Sequence, residues 1–173
     1  MEEILKTYQT LEYVSKLNKS LLLLSKIDNS QFVETSEICI NEVLHRYLED
    51  YQEVYDYRSI QLTLEEKGEF RIGMNEVLAV VLVTNLLKNA FVHNVDKGII
   101  RIEITPESFC FQNTGGDEAL DEKRIFERFY QGAKKKEGST GLGLAIVHAV
   151  CRQYHLNISY RFLDNRHCFE IYR

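Results

Sequence analysis

Three polar side chains recur along an otherwise apolar segment. In Thr84-Asn85-Leu86-Leu87-Lys88-Asn89-Ala90-Phe91-Val92-His93-Asn94, the residues Asn85, Asn89 and His93 stand four positions apart. On a helix that spacing sets them along one face, with Leu, Val and Phe on the others. Amides cost helix propensity, and an Asn carbonyl oxygen is a suitable ligand for a hard cation such as Mg2+. A solvated face that carries two amides is the plainer reading, and the stripe alone does not decide between them. A second segment, Ser139-Thr140-Gly141-Leu142-Gly143-Leu144-Ala145-Ile146-Val147, sets two glycines ahead of an apolar run. Glycines free the backbone for a close approach, and the first N–H groups of the helix that follows are unpaired and attract anions. No lysine follows, so this is not the GxxxxGK[ST] loop, and no strand leads into it as a dinucleotide fingerprint requires. A tight loop entering a core helix would explain it equally.

Two further stretches complete the set. Cys110-Phe111-Gln112-Asn113-Thr114-Gly115-Gly116 reads as a strand ending in a glycine turn. There Asn113 offers an acceptor and donors that suit the edge of a purine; a plain turn is the alternative. Ile125-Phe126-Glu127-Arg128-Phe129-Tyr130 places three aromatics inside a charged loop, followed by Lys134-Lys135-Lys136. These are either an anchored cationic lid over phosphates or a solvated loop with an apolar patch.

The elements that must position these residues follow from periodicity. Ile4, Tyr8, Leu11, Val14, Leu17, Leu21 and Leu24 recur at steps of three and four, predicting a helix over about 2–26 with a narrow apolar seam. Asp28-Asn29-Ser30 breaks it. A second amphipathic helix runs from Ile40 to Val54, with Asn41 as the expected N-cap. Arg58–Leu64 alternates like a strand, and Lys67-Gly68 makes a turn. A helix over Asn75–His93 carries the polar stripe. Strands at Ile99–Ile104 and Ser108–Gln112 form a hairpin about Pro106, a helix runs over Leu142–Tyr154, and strands at Ile158–Phe162 and Cys168–Tyr172 flank a turn at Asp164-Asn165. Mixed elements whose last four strands pair most simply as antiparallel neighbours predict an α+β fold, a two-layer α/β sandwich with an N-terminal helical arm.

Composition sets bounds on function. The 173 residues are 45% hydrophobic and 27% charged, values that build one globular core. A net charge of −5 gives no reason to expect nucleic acid. No run approaches the length of a membrane span, and Met1-Glu2-Glu3 lacks a signal-peptide pattern, so a cytoplasmic domain is expected, membrane-anchored only through upstream segments. Cys39, Cys110, Cys151 and Cys168 are far apart without CxxC spacing, and read as small buried hydrophobes in a reducing compartment. His148, Cys151 and His155 share a helix face, which an ordinary core-facing side explains.

The order of the four segments resembles the catalytic ATP-binding domain of sensor histidine kinases, of the Bergerat type shared with gyrase and the heat-shock ATPase. Asn85–Asn94 looks like the N box, Asn113-Thr114-Gly115 the first glycine box, Phe126–Phe129 the F box, and Thr140-Gly141-Leu142-Gly143-Leu144 the second glycine box. Residues 1–33, with Leu21-Leu22-Leu23-Leu24-Ser25-Lys26-Ile27-Asp28, are similar to the second helix of the dimerisation and phosphotransfer hairpin, leaving 34–173 as the ATP domain. The resemblance implies ATP and Mg2+ as ligands. Asn89 would hold the metal, with Asn85 and His93 near the phosphates. Asn113 would read the adenine amine, and Gly115 would let the base lie close. Thr140, Gly141, Leu142, Gly143 and Leu144 would cradle phosphates, and Phe126 and Phe129 would pack the lid. The family's phosphoacceptor histidine has no counterpart among His45, His93, His148, His155 and His167, so no catalytic residue is assigned in this chain. The implied activity is transfer of the ATP γ-phosphoryl group to a histidine outside it. The implied partners are the missing histidine-bearing helix, a response regulator and a second copy in the full-length protein.

Three departures from the pattern stand out. Asn113 replaces the usual Asp, Val92 stands where Lys or Arg is frequent, and Asp117 and Ser139 stand where glycines are common. Val92 and Asn113 motivate a competing expectation, a degenerate ATP fold that serves as a dimerisation and scaffolding module; another Bergerat-type ATPase is the third.

Overall fold

The computed structural model describes residues 1–116, 118–132 and 139–173, and for Glu2 the backbone alone. Asp117 and Lys134–Lys136 therefore lie outside the described residues.

The chain opens with α1 (Glu2–Asp28), then β1 (Ser36–Cys39), α2 (Ile40–Val54), a 3-10 turn at Asp56–Arg58, β2 (Gln61–Glu66), β3 (Arg71–Met74) and α3 (Glu76–Val92). It continues with β4 (Ile99–Ile104), β5 (Ser108–Thr114), α4 (Gly143–Gln153), β6 (Asn157–Leu163) and β7 (Arg166–Tyr172). Five strands form a sheet in the order β2-β4-β5-β7-β6, and β1 pairs with β3 in a separate two-stranded ribbon. The last four strands pair antiparallel, as the pattern predicts, and β2 lies parallel to β4. The expected α+β sandwich is the architecture found.

Strand alternation sends Phe109, Phe111 and Asn113 of β5 and His167, Phe169 and Ile171 of β7 to the helix-covered face. The phenylalanines and Ile171 meet Leu78, Leu82 and Leu86 of α3 and Val147 and Val150 of α4 in one apolar core. A two-residue loop with left-handed backbone at Asp164 (φ 50°) and Asn165 (φ 57°) fixes the register of β6 on β7. The last turns of α1 join the core through Leu24 and Ile27, whereas Ile4, Tyr8, Leu11 and Val14 are exposed. No helix among the described residues is long and apolar enough to cross a membrane.

Two local expectations differ from the structure. Asn41 is not a cap. It sits inside α2, buried, where its Oδ1 accepts from Phe70 N (3.0 Å) and its Nδ2 donates to Glu66 Oε1 (2.7 Å) and Gly68 O (3.1 Å). A tertiary partner has claimed the side chain that would otherwise cap the helix. Strand β2 begins at Gln61, later than its alternation suggests, because Ser59 takes left-handed backbone (φ 51°) after the 3-10 turn that ends at Arg58. The Arg58 guanidinium donates to Phe91 O (2.6 Å) and Asn94 O and pairs with Asp96 (2.8 Å). A cation on the last carbonyls of α3 complements the helix dipole, so Arg58 fixes the end of the helix that carries the polar stripe.

Candidate nucleotide site

Helix α3 begins where its sequence prepares it to. Asn75 caps it, its Oδ1 accepting from Val77 N (3.0 Å) and Leu78 N (3.4 Å). Asn85 and Asn89 are partly exposed, and His93 is the exposed C-cap residue. The stripe therefore runs along the last two turns and ends at the helix terminus. Asn85 Nδ2 donates to Val81 O (2.8 Å), which orients its Oδ1.

Helix α4 starts beside that amide. A Cβ built on Gly143, the first residue of α4, would lie 3.1 Å from Asn85 Oδ1. The N-cap residue Leu142 is fully buried and offers no side-chain oxygen, so the leading N–H groups of α4 have neither a helical partner nor a side-chain cap. Gly141 ahead of it adopts φ +67°, and a Cβ there would meet Phe129 C and Tyr130 O at 2.8 Å. Only glycine combines that backbone with that contact. Thr140 and Leu144 flank the turn, partly buried. The glycine loop thus lies against the aromatic segment on one side and α3 on the other.

The aromatic residues divide. Ile125 is buried, and Phe126 stacks on His148 of α4 with centroids 5.5 Å apart. Phe129 does not pack. Its left-handed backbone (φ 65°) turns the main chain toward Gly141, and its ring is 56% exposed. The anchor falls instead to Tyr130, partly buried, whose hydroxyl accepts from Asp121 N (3.1 Å) and whose ring lies under Arg124. Arg128 and Arg152 both reach Asp28 at the end of α1, at 2.5 and 2.7 Å, so one carboxylate ties the aromatic segment and α4 to the N-terminal helix. Lys88, on the stripe-bearing helix, has its pKa lowered by burial and by Lys16 of α1.

At the far end of α3, β5 delivers Asn113. The side chain is 1% exposed; Nδ2 donates to Thr114 O (2.8 Å), while Oδ1 is buried with no partner among the described residues. Buried acceptors are nearly always satisfied, and an incoming N–H donor such as the amine of adenine fits this one. Thr114 closes the strand by donating to Asn94 Oδ1 (2.5 Å), and Asn94 Nδ2 donates to Ile99 O (3.2 Å). The end of α3 is thereby stitched to β4 and β5.

Sequence reasoning missed His167, which faces Asn113 across the β5–β7 ladder and is 7% exposed. A Cβ on Gly115 would fall 2.3 Å from His167 Cδ2 and 3.6 Å from His93 O. Gly115 thus sits between the end of the stripe and this imidazole. Tyr160 OH accepts from Leu120 N (3.0 Å) and lies 2.8 Å from His167 Nδ1. Burial lowers the pKa of His167, favouring the neutral ring. No motif marks it; only the turn at Asp164-Asn165, which fixes the β7 register, could have pointed there.

Among the described residues no cluster of three or more His, Cys, Asp or Glu side chains could hold a metal ion. A divalent cation here would rely on neutral oxygens such as that of Asn89 and on its ligand's own phosphates.

Residues 74–170, more than half of the chain, match the family described as histidine kinase-, DNA gyrase B-, and HSP90-like ATPase. The chain is 29% identical over 157 residues to the heme sensor protein HssS of Staphylococcus epidermidis, covering 88% of this chain and 34% of that protein. It is 32% identical over 147 residues to the sensor histidine kinase RppB of Synechocystis, covering 79% and 32%. It therefore spans about a third of the length of these curated relatives. The histidine kinase ThkA, solved in complex with the response regulator protein TrrA, superposes with a TM-score of 0.67 at 19% identity, over 91% of this chain and 48% of that one. By its family model, which matches more than half of its length, the chain belongs to the histidine kinase-, DNA gyrase B- and HSP90-like ATPase family.

Proposed function

We propose that this domain binds ATP with Mg2+ between α3 and the start of α4, and presents the γ-phosphoryl group to a histidine that lies outside this chain. The observation that carries the reading is the approach of Gly143 to Asn85 Oδ1, 3.1 Å from a Cβ built on the glycine. It sets the amide stripe beside the N-terminus of α4. Asn113 Oδ1 takes the adenine amine, and Gly115, packed against His167, lies beside the base. The N–H groups at Gly141–Leu144 and the helix dipole hold phosphate oxygens. Thr140 lies beside them. Asn89 offers its side-chain oxygen to the cation, and Asn85 and His93 flank the phosphates. Bound Mg2+ supplies charge neutralisation on those oxygens. Phe126, stacked on His148, and Phe129 belong to a lid over them. The chain's part is positioning and electrostatics, as phosphoryl transfer demands.

The proposal extends to the parent protein. A second copy pairs along the exposed seam Ile4, Tyr8, Leu11 and Val14 of the arm (1–33), a response regulator receives the phosphoryl group, and the domain (34–173) works in the cytoplasm. Calorimetry with ATP, with and without Mg2+, tests the binding. Saturable heat strengthened by Mg2+ is expected; none at millimolar nucleotide would refute it. Acid-labile phosphate on the isolated chain would refute the external acceptor.

A further inference from the structure

The four cysteines, read from sequence as buried hydrophobes, do not all behave alike. Cys39, Cys151 and Cys168 are buried and Cys110 is partly buried, and burial pushes the Cys151 thiol up to about 12. Cys110 and Cys168, 58 residues apart, meet on the sheet face turned away from the helices, with Sγ atoms 2.9 Å apart. Their register explains the meeting. Gln112 pairs with Cys168 and Cys110 with Glu170, so the two cysteines are diagonal cross-strand neighbours on β5 and β7. A disulfide needs about 2.05 Å between sulfurs, and diagonal neighbours ordinarily stand about 7–8 Å apart, so closing the gap takes a small shift of the two strands as well as side-chain rotation.

We propose that Cys110 and Cys168 form a reversible oxidative modification site, in which peroxide converts this cross-strand dithiol to a disulfide. The site is independent of the nucleotide reading, because strand alternation puts Asn113 and His167 on the opposite face. Cys168 is the attacking sulfur. It borders a shallow depression with Gln112, Arg161, Leu163, Asp164 and Arg166, and Arg161 stands directly opposite it on β6. The two thiols share a hydrogen bond, and that contact, with Arg161, lowers the pKa of Cys168 against the opposing effects of burial and Glu170. The same contact, with burial, raises the pKa of Cys110. The Cys168 thiolate attacks one peroxide oxygen; the O–O bond breaks, giving a sulfenic acid and hydroxide. Cys110 sulfur then displaces the sulfenic oxygen as hydroxide, forming the S–S bond. The two thiol protons and two hydroxides leave as two waters, and the peroxide is the species reduced. A small dithiol reverses the step by exchange.

The test uses the whole chain. After hydrogen peroxide, thiols are capped with N-ethylmaleimide and the protein is digested without reduction for tandem mass spectrometry. A β5 peptide linked to a β7 peptide is expected, with Cys39 and Cys151 capped and the link lost after dithiothreitol. Capped Cys110 and Cys168, or links to the other cysteines, would overturn the site. Dimedone trapping tests the order of attack: Cys110→Ser should trap sulfenic acid on Cys168 about tenfold more than Cys168→Ser traps it on Cys110. Equal trapping would overturn the assignment of Cys168. The mapping on unmodified protein stands even if a variant fails to fold.

Discussion

Replacing Asn113 by leucine separates nucleotide recognition from folding, because the two respond in different ways. Among the described residues the Asn113 side chain makes one hydrogen bond, Nδ2 to Thr114 O, and leaves one buried acceptor, Oδ1, without a partner. Losing the bond costs about 0.5–1.5 kcal/mol, while removing an unpaired buried acceptor relieves about 1–3 kcal/mol. Leucine, similar in size and branching, should therefore leave stability within about 1–2 kcal/mol of the original. That corresponds to a few degrees in Tm for a chain of this size. Nucleotide affinity behaves otherwise. An adenine amine that donates to Oδ1 gains a partner no other group supplies, so its loss should weaken ATP by about 1–3 kcal/mol, roughly 5- to 150-fold in Kd. GTP carries a carbonyl oxygen where ATP has the amine, so it cannot donate to Oδ1; it should bind the original protein weakly and the variant no worse. Calorimetric titration of both proteins with both nucleotides measures this directly, with thermal melts as the folding control. Unchanged ATP affinity in Asn113→Leu, or equal losses for ATP and GTP, would refute the assignment of Asn113 to the base.

Three other perturbations probe separate parts of the account. Gly143→Ala adds a methyl group 3.1 Å from Asn85 Oδ1; alanine favours a helix by about 0.5–1 kcal/mol, so Tm should hold within a few degrees while ATP affinity falls about tenfold or more, read by calorimetry. Asp28→Ala frees Arg128 and Arg152 together; because these pairs are partly solvated, the stability cost should stay near 1 kcal/mol, while hydrogen exchange across 121–132 accelerates. His167 has a folded pKa below its ordinary 6.5 through burial. The unfolded state then binds more protons below that pH, so its contribution to stability is present above about 6.5 and is lost as pH falls toward the folded value. Denaturant melts at stepped pH should show this loss, and His167→Gln should lack that part of it.

Much of the framework could be read in the chain because local signals agreed with tertiary ones. Asn75 caps α3 where the apolar run begins, and Asp164-Asn165 turns the last hairpin with the left-handed backbone those residue types tolerate. Gly141 marks a place where a side chain would collide and Gly143 a close approach to Asn85, which is why the glycine segment shows as a motif. What stayed hidden depends on partners distant in sequence. Asn41 has the look of a cap, but Phe70 N, 29 residues away, decides its role. Strands β1 and β3 have four residues each, too few to show a period, and form only by pairing with one another. Phe129 carries the composition of an anchor, yet its backbone conformation turns the ring outward. His167 and the Cys110–Cys168 contact both come from the register of β7 on β5, which no local pattern encodes.

The central claim is that three segments separated along the chain line one nucleotide cleft. Amide chemical-shift mapping of the isotope-labelled chain during titration with ATP and Mg2+ tests it most directly. Signals from Asn85–His93, Asn113–Gly116 and Gly141–Leu144 should move together and saturate with one Kd. Shifts confined to a single segment or to the outer faces of β6 and β7, or none at millimolar nucleotide, would contradict it.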